Sequence, residues 1–287
     1  MKRYAVSLIC AAGLCAGAGA WQAQNDFAFG GGSYIADTLS LSTNISTSSI
    51  ATVDLGFFKQ GTYPDAVYNV KTSYIYLTGE GFYSIRPFFS PSTNLVDCYN
   101  AGIYSQYMFL LLRQRNVDMW HNLGFTVSLA MQRALLSGSS GESSREDIGE
   151  GALTVQYQQN FYNEFFLYYS LSGFKYSKSV KDSSVILTSL DQSEMAALGC
   201  IGPILELPSW SGGVAFIRTA GEESNGQFNL GYQYLAFANQ IEARHSLSAG
   251  LKLFVGENST FDLGYNWIAA GDYGPNNFYK ITLRTSF

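Results

Sequence analysis

Charge is what this sequence has least of. Lys, Arg, Asp and Glu make up 14% of its 287 residues, against about 25% in ordinary soluble domains. A chain this long with so few charges is poorly equipped to coat itself for bulk water. Histidine is represented by His121 and His245 alone, and there are four cysteines. No His, Cys or carboxylate spacing suits a metal, and no glycine-rich phosphate loop or closely spaced thiol pair is present. The expectation is no cofactor and no metal. Beyond residue 20 no apolar run is long enough for a membrane-spanning helix. The formal net charge of −5 argues against nucleic acid, whose binding proteins carry basic surfaces.

The chain starts Met1-Lys2-Arg3 and runs apolar and small from Tyr4 to Ala20, closing on Ala18-Gly19-Ala20. A positive start, an apolar core and a small-residue end make a secretory signal peptide, with cleavage expected after Ala20. Leu14 directly before Cys15 departs from the small-residue box of a lipoprotein, so no lipid anchor is expected. Losing Lys2 and Arg3 without any acid takes the net charge from −5 to −7. Cys98 and Cys200 would then lie in an oxidising compartment where a disulfide can form, a pairing the sequence leaves open.

Aromatic residues reach 15%, with Tyr 20 and Phe 20, beside Gly 29, and they fall into period-two patterns. The clearest runs from Asn122 to Gln132. Leu123, Phe125, Val127, Leu129 and Met131 take one face, and Asn122, Gly124, Thr126, Ser128, Ala130 and Gln132 the other. About 9–11 residues is what a tilted strand needs to cross a bilayer. Similar segments recur from Ala51 to the last residue, separated by polar stretches such as Ser137–Glu150 and Lys175–Ser183. Trp120, Trp210 and Trp267 sit at strand ends, where interfacial aromatics belong. Residues 21–50, rich in Gly, Ser and Thr, read as a periplasmic lead-in or an extra hairpin.

Alternation alone does not separate a soluble sandwich from a membrane barrel. The polar residues do. A face exposed to bulk water carries many Lys, Glu and Arg, whereas here it is mostly Asn, Gln, Ser, Thr and Gly, which suits a narrow water-filled lumen. The opposite face, dense in Tyr, Phe and Leu, suits lipid. The fold expected is all-β: a transmembrane antiparallel up-and-down β-barrel over residues 51–287.

The last strand, Phe278 to Phe287, places Tyr279, Ile281, Leu283 and Phe287 on one face and Lys280, Thr282, Arg284 and Ser286 on the other. It ends on an aromatic residue. This resembles the carboxy-terminal assembly signal of Gram-negative outer-membrane β-barrel proteins, porins among them. The resemblance implies an outer-membrane location and three kinds of partner: outer-membrane lipid and lipopolysaccharide, the barrel-assembly machinery, and periplasmic chaperones. It leaves a homo-oligomer open. If this strand runs inward to the periplasm, connections alternate outside and inside going backward. That parity gives fourteen strands from Ala51, with Val185–Leu190 and Met195–Leu207 counted, in a range of 12–16. The strands holding Pro87 and Pro203 are the weakest, since each proline removes a ladder hydrogen bond.

Asp54, Lys71, Glu164, Arg218, Lys252, Asp262, Lys280 and Arg284 are expected on the lumen face. Those on the last three strands should form one mixed-charge patch, either a filter for permeating solutes or paired ions that stiffen the wall. Arg244-His245-Ser246-Leu247-Ser248 faintly resembles the His/Ser pair of outer-membrane lipid A deacylases. It departs from them because Leu247, not a serine, shares the histidine's face, and no catalytic residue is assigned. The function expected is a porin-like channel for passive diffusion of small hydrophilic solutes. The alternatives are a surface-interaction barrel without transport and, behind it, a lipid-modifying enzyme.

Overall fold

A computed structural model describes residues 21–59, 66–90, 100–114, 119–137, 143–162, 164–179, 183–184, 207–219, 226–238, 242–256, 258–270 and 275–287. Its strands are β1 (Trp21–Gly30), β2 (Tyr34–Ser46), β3 (Ser49–Lys59), β4 (Val67–Thr78), β5 (Gly81–Ser90), β6 (Asn100–Gln114) and β7 (Met119–Ser137). They continue with β8 (Ser143–Phe161), β9 (Phe165–Tyr176), the two-residue β10 (Ser183–Ser184), β11 (Pro208–Thr219) and β12 (Gly226–Phe237). The last are β13 (Arg244–Val255), β14 (Ser259–Ala270) and β15 (Pro275–Ser286). All except β10 form one closed antiparallel ring of fourteen strands, each paired with its chain neighbours. The ring closes where β1 pairs β15, from Gln22↔Ser286 to Gly30↔Phe278. Trp21 and Phe287 add two further backbone hydrogen bonds, of 3.3 and 2.7 Å. Closure removes every sheet edge, which a strand structure in lipid requires.

The two faces invert the usual order of burial. Asn266 and Ser84 are fully buried and Thr154 is 1% exposed, whereas Leu129 and Leu171 are each 59% exposed. The alternation in each strand sends Ser, Thr, Asn and Gln into the ring and Leu, Val, Phe and Tyr out of it. An apolar surface that surrounds the whole ring far exceeds the few hundred Å² that a soluble protein leaves uncovered. Its solvent is lipid. Several polar side chains on this outer face hydrogen-bond to one another, which lowers the cost of placing them in a dry environment. Asn25 donates to Asp37 at 2.7 Å, Ser105 to Tyr83 at 3.1 Å, and Tyr265 to Asn277 at 2.7 Å.

The strand count agrees with the parity argument, but the membership differs. Trp21–Gly30 and Tyr34–Ser46, expected as a lead-in or an extra hairpin, are a hairpin inside the ring and close it. On the other side β9 pairs directly with β11, from Trp210↔Gly173 to Arg218↔Phe165. Val185–Leu190 and residues 195–206 lie outside the described residues, as do residues 1–20, expected as a signal peptide, and Cys98, Cys200 and Pro203. The Ser137–Glu150 stretch, expected as a loop, is largely ladder, since β7 and β8 stay paired from Met119↔Phe161 out to Ser137↔Ser143. That outer hairpin follows no apolar alternation, so its sequence resembles a loop. Lys178 ties it to the β9 end through Glu146 at 2.7 Å.

Pro87 does lie in a strand. The β5–β6 ladder runs through it unbroken, while the β4–β5 pairing skips from Lys71↔Phe88 to Tyr74↔Ile85. The N–H that proline lacks is therefore one that would have faced β4.

Glycines on the inner face let larger side chains lie along the wall. The Phe88 ring occupies the space of a Cβ at Gly102, and the Phe278 ring that of a Cβ at Gly30. Each ring belongs to the residue directly opposite its glycine. A side chain at 102 would also press on the Leu129 carbonyl oxygen, a backbone atom with nowhere to go. Gly102→Ala is accordingly expected to destabilise the folded barrel by about 1–3 kcal/mol through overpacking, measured by urea unfolding in liposomes.

Candidate functional site

The inner wall carries the charged chemistry. Its densest cluster spans β13, β14, β15 and β1. Lys252 and Asp262 are register partners, Asp262 is opposite Thr282, and Lys280 and Arg284 alternate with Ile281 and Leu283 on the terminal strand. Across the closure seam Asp26 accepts from Lys280 Nζ at 3.1 Å and from Thr282 Oγ1 at 2.6 Å. Gln24 Oε1 accepts from Arg284 twice, from Nε at 2.9 Å and Nη2 at 2.5 Å, and its amide nitrogen donates to Asp26 at 3.0 Å. The structure places Lys252, Asp262, Lys280 and Arg284 on neighbouring strands of one wall, and adds two residues the sequence reading missed, Gln24 and Asp26. Their alternation with Asn25 and Phe27 was the available signal, hidden in a stretch assigned outside the barrel.

A second polar network lies on a separate wall. Arg86 donates through Nη2 to Gln106 Oε1 at 3.0 Å, and Gln106 Nε2 donates to Gln156 Oε1 at 2.8 Å. Gly124 stands between the two glutamines in the sheet, opposite both Met108 and Gln156, and its bare Cα leaves room for the bridge. Thr154 and Ser172 share a hydrogen bond of 2.8 Å, and Asn266 donates to Ser246 at 2.7 Å. Asp54 and Lys71 face inward as register partners on β3 and β4.

Two expected lumen residues are elsewhere. Arg218 shares the outer face with Val214 and Phe216, and its guanidinium lies over the Phe165 ring at 5.2 Å. Near a strand end a long cation reaches the interface while its stem lies on apolar surface. Glu164 is an exposed residue of the turn between β8 and β9. Trp120 is a third correction. The alternation of β7 sends it inward with Asn122 and Gly124, and it meets Phe166 edge-on at 6.0 Å. Trp210 and Trp267 face outward, Trp210 packed on Tyr234 at 4.8 Å. Tyr279, Leu283 and Phe287 are exposed on the outer face, Phe287 most of all at 76%.

The inner wall is not uniformly polar. Toward the end remote from the termini, Phe88, Tyr104 and Ala130 pack together with Phe174, and Tyr34 lies between Phe58 and Phe278. Leu207, immediately before β11, packs on Ile148, Tyr176 and Ala238. The charged cluster occupies the half nearer the termini. Both histidines face outward, His121 within 2.6 Å of the Tyr157 hydroxyl and His245 within 2.9 Å of that of Tyr232. No group of three or more potential metal ligands exists among the described residues.

No family model and no curated protein matches the sequence. Solved structures do match the fold. A CymD monoaromatic hydrocarbon channel aligns with TM-score 0.52 at 10% identity over 93% of this chain and 88% of that one. The NanC porin aligns at 0.47 and 11%, covering 92% and 98%, and OprD of Pseudomonas aeruginosa at 0.47 and 9%, covering 93% and 94%. The chain has the outer-membrane barrel fold. Identity this low establishes the architecture alone, so the chemistry of the wall must speak for the function.

Because Arg218 lies on the lipid side, Arg218→Gln is expected to leave the ion selectivity of the barrel unchanged. Reversal potentials of the inserted variant under a salt gradient check this. A clear shift would return Arg218 to the lumen.

Proposed function

We propose that the protein is an outer-membrane, porin-like channel through which small hydrophilic solutes diffuse passively, without covalent chemistry. The observation that carries this is the inner wall: a closed ring whose interior is lined by hydrogen-bonded amides, hydroxyls and a mixed-charge cluster, inside an apolar exterior. Such a wall replaces part of a solute's hydration while passing it on. The energetics favour a filter over a brace. The Lys280–Asp26 pair is 31% and 21% exposed, and for a largely buried pair desolvation offsets much of the Coulomb gain, so stability is a weak explanation for a cluster of this size. The outward position of both histidines supports a non-enzymatic barrel, since a lumen reaction would find no imidazole. With the chain termini at the periplasmic end, the β7–β8 hairpin projects from the cell surface.

Planar bilayers are the direct test. Purified protein should insert with discrete conductance steps, and their absence in repeated insertions would refute the channel. His121→Ala and His245→Ala should leave the steps as they are. Phe287 serves assembly in this reading, through recognition of the last strand by the assembly machinery. Its deletion is expected to lower the amount inserted in cells while inserted molecules keep their conductance; undiminished insertion would refute the assembly role.

A further inference from the structure

We infer that the solutes this lumen favours are small organic anions, carboxylates in particular. The inference rests on the channel reading and concerns the sign and the fixing of the wall charges. Acids outnumber bases in the chain as a whole, 22 to 17, yet the lumen has the opposite balance. Glu80, Asp147, Glu164 and Glu242 are exposed at the rims. In the cluster beside the closure seam, three cations, Lys252, Lys280 and Arg284, accompany two carboxylates, Asp26 and Asp262.

How the arginines are held is the second observation. Arg284 is fixed by the amide oxygen of Gln24, and Arg86 by that of Gln106. A neutral acceptor orients a guanidinium without cancelling its charge, which a glutamate in either place would do. A guanidinium has five N–H donors in a planar fork. Arg284 gives two to Gln24 and Arg86 one to Gln106, so each retains donors for an oxyanion, and the fork fits a carboxylate bidentately. Both amides are anchored in turn, Gln24 by Asp26 and Gln106 by Gln156.

The third observation is placement. β5 and β15 are five steps apart around the fourteen-strand ring, through β1, β2, β3 and β4. A solute between them is exposed to positive potential from two walls of a low-dielectric tube, where fields of one sign are focused. Two further carboxylates face inward, Asp54 beside Lys71 and the buried Glu150 on β8, and Arg244, over the Phe237 ring, faces inward as well, so they do not reverse that sign.

The test is selectivity in planar bilayers. Under a potassium chloride gradient the wild-type channel should show an anion-to-cation permeability ratio of about three or more. Arg86→Gln with Arg284→Gln should bring the ratio to about one or below, and the two Lys variants should retain it. Asp26→Asn should raise it. Heat-modifiable gel migration separates a misfolded variant from a folded one, and if the double Gln variant does not fold, the single variants and Asp26→Asn carry the comparison. With chloride on one side and acetate on the other, acetate should carry current. A wild-type preference for potassium, or an unchanged ratio in the folded Gln variants, would overturn the inference and leave the channel standing. Chloride passing while acetate is excluded would overturn the carboxylate assignment. Absence of any conductance step would overturn both readings.

Discussion

Everything in this structure depends on pairing the backbone inside a medium that offers no hydrogen bonds. An unsatisfied N–H or C=O in hydrocarbon costs several kcal/mol, and a strand structure avoids that cost only by having no edge. The β1–β15 seam is therefore the decisive contact. It joins residues at opposite ends of the sequence, Gln22 to Ser286 through Gly30 to Phe278, and converts a long ribbon into a tube. Alternation then has a single consequence everywhere: one set of side chains meets lipid and the other meets the lumen.

The same seam builds the candidate site. Asp26 and Gln24 come from the first strand, Lys280, Thr282 and Arg284 from the last, and their hydrogen bonds cross more than 250 positions of sequence. Closing the ring and assembling the charged cluster are one event. The lumen also combines two kinds of wall. Toward the termini it is charged and amide-rich. Toward the other end Phe88, Tyr104, Phe58 and Phe278 lie against the sheet, two of them over glycines placed to receive their rings.

Most of the fold was legible because strand alternation is local. Leu123 to Met131 against Asn122 to Gln132, or Phe261 to Trp267 against Thr260 to Asn266, can be read without knowing which strands are neighbours. Two of the misassignments share a cause. Arg218 and Trp120 were judged by residue type, charge inward and tryptophan at the lipid interface, where the alternation of their own strands placed them on the other face. The inward Phe and Tyr rings went unseen because the glycines that accommodate them sit on partner strands, a pairing no single segment reveals.

The sequence by itself determined that the chain makes amphipathic strands of membrane-crossing length, polar on one face and aromatic on the other, because side-chain direction in a strand is fixed by the backbone two residues at a time. Only the tertiary structure decided which strands close the ring. It brought Trp21–Ser46 into the wall, paired β9 directly with β11, and set Asp26 against Lys280 and Gln24 against Arg284. Those outcomes depend on hydrogen bonds between segments far apart in the chain, and a local period carries no information about its partner.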